Sequence, residues 1–271
     1  MDINTKVELN NGVEIPVLGL GVYKSPPGKE TEQAVLDALE NGYRHIDTAA
    51  YYRNEKDVGN AVKKSGIPRE EIFITTKLRN EDHGNVEKAF ENSLKNLAMD
   101  YVDLYLIHWP VEKLRGKTWK QMVKIYDAGK CKAIGVSNYT ISHLRELISE
   151  TGTLPAVNQV EFSPYLYQKE LLDYCIEEDV QVEAYSPLTR GKKLSDPKLV
   201  EIAQKYSKTP AQVLIKWSLQ HDLVVLPKSI TKERIKENSD VFNFSISPDD
   251  METMNNFNEN FRTCWDPTKV S

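Results

Sequence analysis

Cysteine is scarce in this chain. Its 271 residues hold three, Cys131, Cys175 and Cys264. They are odd in number, far apart and without a Cys-x-x-Cys pair, so all three read as structural thiols. His45 and Asp47 stand two apart, as in a metal-binding His-x-Asp, but histidine and cysteine are too sparse elsewhere to complete a ligand set, and no metal is expected. No run approaches the ~18 apolar residues of a membrane span. No basic segment followed by an apolar stretch opens the chain, so a cytoplasmic protein is expected. A basic excess is missing as well: the net charge of −5 argues against a nucleic acid or an anionic membrane as partner. Neither a Pro/Ser-rich linker, a charge block nor an internal repeat interrupts the pattern, so residues 1–271 are expected to form one domain. With 40% apolar and 28% charged residues, that domain has the means to bury a sizeable core.

An intact dinucleotide fingerprint is also lacking. Gly19-Leu20-Gly21 starts a G-x-G-x-x-G, but Lys24 stands where the third glycine belongs, and Pro26-Pro27 follow where a helix should begin. What is present is a monotonous alternation. LNNGVEI places Asn11-Gly12 between two short segments, a hairpin signal. Eight strand candidates follow: 17–21, 43–47, 71–77, 101–108, 131–137, 156–161, 180–186 and 223–229. Between them run helical stripes such as Val86, Phe90, Leu94 and Leu97; Trp119, Met122, Val123 and Tyr126; and Leu199, Ile202, Ala203 and Tyr206. Short loops between strand and helix imply right-handed parallel crossovers. An open doubly wound sheet alternates in the same way, but eight such units close naturally into a (β/α)8 TIM barrel, here with an N-terminal β-hairpin.

In a parallel barrel the chemistry lies at the C-terminal strand ends. Read in order, those ends carry Asp47, Lys77, His108, Ser137 with Asn138, Gln159, Tyr185 with Ser186, and Lys228 with Ser229. Taken singly, Asp47 could be a turn cap, Lys77 a rim charge or Schiff-base lysine, and His108 a hydrogen-bonded core histidine. Their arrival at adjacent strand ends, near Tyr51 and Tyr52, suggests a site. A lysine beside a phenol favours the phenolate. One charge at ~4 Å in an effective dielectric of ~20 is worth roughly 4 kcal/mol, or up to about three pKa units, so a tyrosine usable as an acid is expected.

The stretches GYRHIDTAAYYRNEKDVG (42–59), ITTKL around Lys77, LIHWP (106–110), GVSN (135–138), NQVEFSP (158–164), YSPL (185–188) and LPKSITKERIKEN (226–238) occur in order across nearly the whole chain. In these the sequence resembles the aldo-keto reductases, particularly the short prokaryotic type similar to 2,5-diketo-gluconate reductases and prostaglandin-F-synthase-like enzymes. The resemblance implies a catalytic tetrad of Asp47, Tyr52, Lys77 and His108. Tyr52, chosen over Tyr51 by the motif alone, gives a proton to the carbonyl oxygen. It further implies NADPH/NADP+ bound across the barrel mouth. Ser137, Asn138 and Gln159 match the residues at the carboxamide, and Tyr185 the one stacked on the nicotinamide, with Ser186 and Leu188 in the following loop. Lys228, Ser229 and Arg234 match those around the 2′-phosphate, and Glu237 and Asn238 those near the adenine. Tyr23, Arg79 and Trp109 fall at the substrate pocket.

The chain departs from the family at Tyr23 and Arg79, where tryptophan often stands, and in short segments after Trp109 and after Leu188. The partner implied is a small carbonyl compound, and a monomer is expected. Two other readings remain: a barrel aldolase with Lys77 as Schiff base, and a weakly active relative that binds or senses NADPH. For Arg79, reaching an acidic substrate group competes with pointing into solvent or pairing to Glu81 or Asp82.

Overall fold

The Asn11-Gly12 turn joins β1 (Lys6–Glu8) to β2 (Glu14–Pro16), antiparallel, in a computed structural model that describes residues 1–271. Eight parallel strands follow: β3 (Leu20–Gly21), β4 (His45–Asp47), β5 (Phe73–Leu78), β6 (Val102–Ile107), β7 (Cys131–Ser137), β8 (Val157–Glu161), β9 (Gln181–Tyr185) and β10 (Val224–Leu226). Each pairs with the next in sequence. The seam between first and last is closed by Val225 N–H donating to Val17 O at 2.8 Å and Gly19 N–H donating to Val225 O at 2.9 Å. All eight expected strands are present, as a (β/α)8 barrel. Several are shorter than the apolar runs: 223–229 keeps three residues as strand, since Pro227 has no N–H to continue the ladder.

Around the barrel lie α1 (Lys29–Glu40), α2 (Glu55–Ser65), α3 (Val86–Leu97), α4 (Arg115–Asp127), α5 (Ile141–Thr151), α6 (Lys169–Glu177), α7 (Pro197–Lys205), α8 (Pro210–Gln220), α9 (Lys232–Ser239) and α10 (Pro248–Asn255). Two helices separate β9 from β10. Thr209 caps the second by accepting from Gln212 N–H, and Pro210 supplies the preset φ of a first helical residue.

The period-2 pattern of the strands makes two cores. Outward-facing residues such as Ile46, Ile74 and Tyr105 pack against the helical stripes, with Val86, Phe90, Trp119 and Met122 fully buried. Inward-facing Phe73, Leu104, Leu106, Val157 and Val224 fill the lower barrel, and Leu9 and Ile15 of the hairpin join them as a plug. Above this apolar floor the interior turns polar, with His45, Asp47, Thr75, Lys77, Gln159 and Glu183 all buried. The site stands on that layer.

Candidate active site

A cleft of about 1110 Å³ opens over the C-terminal strand ends. Asp47, Tyr52 and His108 line it, as do Ser137, Asn138, Gln159, Tyr185, Ser186, Leu188, Lys228, Ser229, Arg234, Glu237, Asn238, Tyr23, Arg79 and Trp109. Lys77 lies just beneath, fully enclosed.

The lysine organises the centre. Its Nζ donates to both carboxylate oxygens of Asp47 at 2.7 Å and to Thr48 O at 2.8 Å, and reaches the Tyr52 hydroxyl oxygen at 3.5 Å. Register explains the meeting: Asp47 sits opposite Thr75 across the β4–β5 pair, so Lys77, two residues on, faces the same side one step higher. A short 3-10 turn, Ala50–Tyr52, then brings the phenol back over the pair. Tyr51, on the same turn, points outward and is 46% exposed, so the lysine singles out Tyr52. Because Tyr52 receives a hydrogen bond from Lys77 and gives none within the protein, its own O–H is free to point into the cleft. The His108 ring stands beside it, centroids 5.5 Å apart.

The expected lowering of the phenol pKa is not what the environment produces. Burial, followed by the negative charge of Asp47, holds Tyr52 well above the ordinary phenol value. The physical reason is that burial outweighs the ammonium 3.5 Å away, whose pull on the phenol is reduced further by the Asp47 carboxylate 2.7 Å from it. Tyr52 is therefore a loaded acid over the neutral range. The His108 imidazole is pushed down to about 3 by burial and by Lys77, so it presents a neutral ring.

Away from this cluster, Ser137 donates to Gln159 O at 2.8 Å, and the Asn138 amide donates to His108 O at 3.1 Å. Asn138 takes a left-handed backbone, φ 66°, which asparagine tolerates better than most residues. Its Oδ1 accepts from the Tyr185 hydroxyl at 2.7 Å, fixing that ring as a wall. At the other end Lys232 takes Asp37 and Glu40, whereas neither Lys228 nor Arg234 has a carboxylate partner. Glu237 accepts from the Thr209 hydroxyl at 2.6 Å. Arg79 pairs through Nε with Asp82 at 2.8 Å, one of the two arrangements expected for it, while remaining at the cleft edge.

Sequence reasoning missed three notable liners and one buried acid beneath the cleft. Trp265 is 64% exposed and meets Trp109 and Tyr51 edge-on. Cys264, expected to be structural, borders the cleft with its sulfur 2.8 Å from an Arg190 amino group. Arg190 also lies 5.6 Å from the Tyr23 ring centroid. Trp265 and Cys264 carry no local pattern; they reach the mouth only because the C-terminal segment folds back across it. Glu183, a lone acid in the apolar run VQVEAYS, was visible and passed over.

An eight-stranded barrel with a buried Asp–Lys pair under a tyrosine and a histidine defines a carbonyl-reducing class of enzyme, and comparison with known proteins agrees. Residues 17–259 match the aldo/keto reductase family, and the chain belongs to it. It is 49% identical over 266 residues to a glyoxal reductase of Bacillus subtilis, covering 97% of this chain and 96% of that one. It is 46% identical over 251 residues to a methylglyoxal reductase of Escherichia coli, covering 91% of each. The crystal structure of an aldo-keto reductase from a Medee basin deep-sea metagenome library superposes with a TM-score of 0.94 at 45% identity, over 98% and 99% of the two chains. The protein is an oxidoreductase of a family that generally uses a nicotinamide cofactor.

Proposed function

We propose that this protein reduces aldehydes and ketones to alcohols with NADPH, Tyr52 being the proton donor. The observation that carries the proposal is the Lys77–Tyr52 contact, with the phenol O–H left free beside His108. The cleft fits the cofactor chemically. Amide and hydroxyl groups at Ser137, Asn138 and Gln159 suit a carboxamide, and the Tyr185 face suits a flat ring. Lys228 and Arg234, without carboxylate partners near the start of α9, suit an added phosphate, with Ser229 beside them and Glu237 and Asn238 toward the adenine. Ser186 and Leu188 border the stretch between the two ends.

When bound, NADPH supplies the hydride that the carbonyl carbon receives. The chain's own residues do the rest. The neutral His108 ring orients the carbonyl oxygen by donating a hydrogen bond. Tyr52 gives that oxygen its proton as negative charge develops there, and Lys77 stabilises the phenolate left behind. Asp47 holds the ammonium in place. Tyr23, Arg79 and Trp109 form the substrate walls. A single chain contributes every group, so a monomer acting on a small carbonyl compound suffices. The Schiff-base alternative is disfavoured because the Lys77 ammonium is held by Asp47 and Thr48 and covered by Tyr52, beneath the cleft floor. A merely cofactor-sensing role is disfavoured by the complete tetrad.

The relatives named above make glyoxal and methylglyoxal the first substrates to assay, in a panel with larger aldehydes and keto-acids, by loss of NADPH absorbance. Tyr52→Phe is expected to lose orders of magnitude in kcat with cofactor affinity nearly unchanged, and Tyr51→Phe to stay close to wild type. An active Tyr52→Phe beside an inactive Tyr51→Phe would overturn the assignment.

A further inference from the structure

Beneath the tetrad lies a carboxyl group that the reaction above does not use. Glu183 of β9 is fully buried, and its Oε2 accepts from Gln159 Nε2 at 2.5 Å. Its Oε1 has no hydrogen-bond partner and faces His45 Nε2 at 3.6 Å; that imidazole is in turn bonded to Thr75 Oγ1 at 3.0 Å. Gly19 keeps room for the imidazole: a Cβ there would come within 2.8 Å of the ring. The Gln159 Nε2 also donates to Asp47 Oδ2, at 2.9 Å. A primary amide has two N–H bonds, and both are engaged here, one on each carboxyl group. The amide is thereby locked with nitrogen inward. Its carbonyl edge, without a partner in the protein, is what Gln159 can turn to the cleft it lines.

We propose that Glu183 is a positioning residue that fixes the Gln159 amide so that it presents an acceptor to the carboxamide of the nicotinamide cofactor, and that it does so as a neutral carboxylic acid. The proposal rests on the cofactor reading above. The titratable groups facing Glu183 are Asp47 and His45 from β4 and Lys77 from β5; β8 offers the neutral Gln159, and β10 the apolar Val224. Burial and then Asp47 push its pKa up to about 8. Ionised, Glu183 repels Asp47 across the amide that bridges them and draws on the charge of Lys77. Both effects loosen the group that orients the cofactor and weaken support for the Tyr52 phenolate.

The folded-state pKa lies above the unfolded one, so the stability contributed by the neutral group is complete below about pH 4.5 and is lost as pH rises toward 8. Glu183→Gln cannot ionise but keeps an acceptor for Gln159. Melting of the ligand-free protein from pH 5 to 9 is expected to show the variant gaining on wild type up to about pH 8, after which the gap is constant. A gap independent of pH would overturn the neutral-acid assignment. For positioning, NADP+ affinity is measured by fluorescence titration at pH 7 and 9. Between pH 7 and 9 wild type is expected to weaken several-fold more than Glu183→Gln, the change common to both coming from Lys228, whose pKa burial lowers. Glu183→Leu, which frees the amide, is expected to bind about tenfold more weakly at both. Unchanged affinity in Glu183→Leu, or, where that variant does not fold, a pH dependence in Glu183→Gln as large as that of wild type, would overturn the positioning role. If wild type neither binds NADP+ nor oxidises NADPH, the functional reading fails instead, and the melting result stands alone.

Discussion

Replacing Lys77 by methionine separates its chemical role from its structural one. At 3.5 Å from the Tyr52 oxygen, a full charge in an effective dielectric of ~20 favours the phenolate by roughly 5 kcal/mol. Asp47, whose oxygens lie 2.7 Å from the same ammonium, stays behind in the variant, so that contribution is lost undiminished. A loss of about three orders of magnitude in kcat is expected, with cofactor affinity changed little. The same substitution leaves Asp47 buried with only the Gln159 amide as side-chain partner. Orphaning one member of a buried pair costs about 3–5 kcal/mol, which for a chain of this size lowers the melting temperature by roughly 10 °C. The double variant Asp47→Asn, Lys77→Met removes the stranded charge. It is expected to recover most of the melting temperature and none of the activity. The assays are thermal denaturation and steady-state NADPH oxidation on the three proteins at one pH. Retention of kcat within a few-fold in Lys77→Met would refute the electrostatic role. Recovery of activity along with stability in the double variant would show that the lysine serves the fold alone.

Arg234→Ala is expected to weaken NADPH about ten- to a hundredfold and NADH little, since a charge-assisted bond to the added phosphate is worth roughly 1.5–3 kcal/mol; equal effects on both cofactors would count against the phosphate site. Arg79→Trp is expected to lower kcat/KM for a carboxybenzaldehyde relative to its methyl ester, read at two salt concentrations; an unchanged ratio would show that Asp82 keeps the guanidinium from substrate. Gly59→Ala is expected to unfold the protein or lower its melting temperature by more than 10 °C, because the added Cβ would fall 2.0 Å from Leu97 O, where α2 presses on the end of α3; a melting point near wild type would mean that the two helices can separate at little cost.

The parts of this molecule legible in the sequence are those that local pattern determines. Strand and helix follow from periods of 2 and 3.6, so the sequence alone places all eight barrel strands and the hairpin, with errors only where a proline or a barrel end cuts a strand short. The clustering of Asp47, Tyr52, Lys77 and His108 was legible for a related reason. Each member sits at or just past a strand end, or on the first turn beyond one, and a parallel barrel gathers strand ends at one mouth. What stayed hidden depends on distances across the barrel. The sign of the Tyr52 shift turns on how far burial outweighs the charge of Lys77, and nothing in ITTKL states that. Arg79 offered two partners within three residues, and only the 3-10 turn at 80–82 brings Asp82 to its Nε. Cys264 and Trp265 come from a tail that crosses the mouth through tertiary contacts, such as the Thr263 and Cys264 N–H groups donating to Glu161. Glu183 differs from these. An acid at an inward-facing position of a barrel strand has no water to face, so it must be paired or neutral. The alternation that placed Tyr185 and Gln181 on one face placed Glu183 on that face too. Its burial was therefore deducible from register; that it shares the Gln159 amide with Asp47 was not.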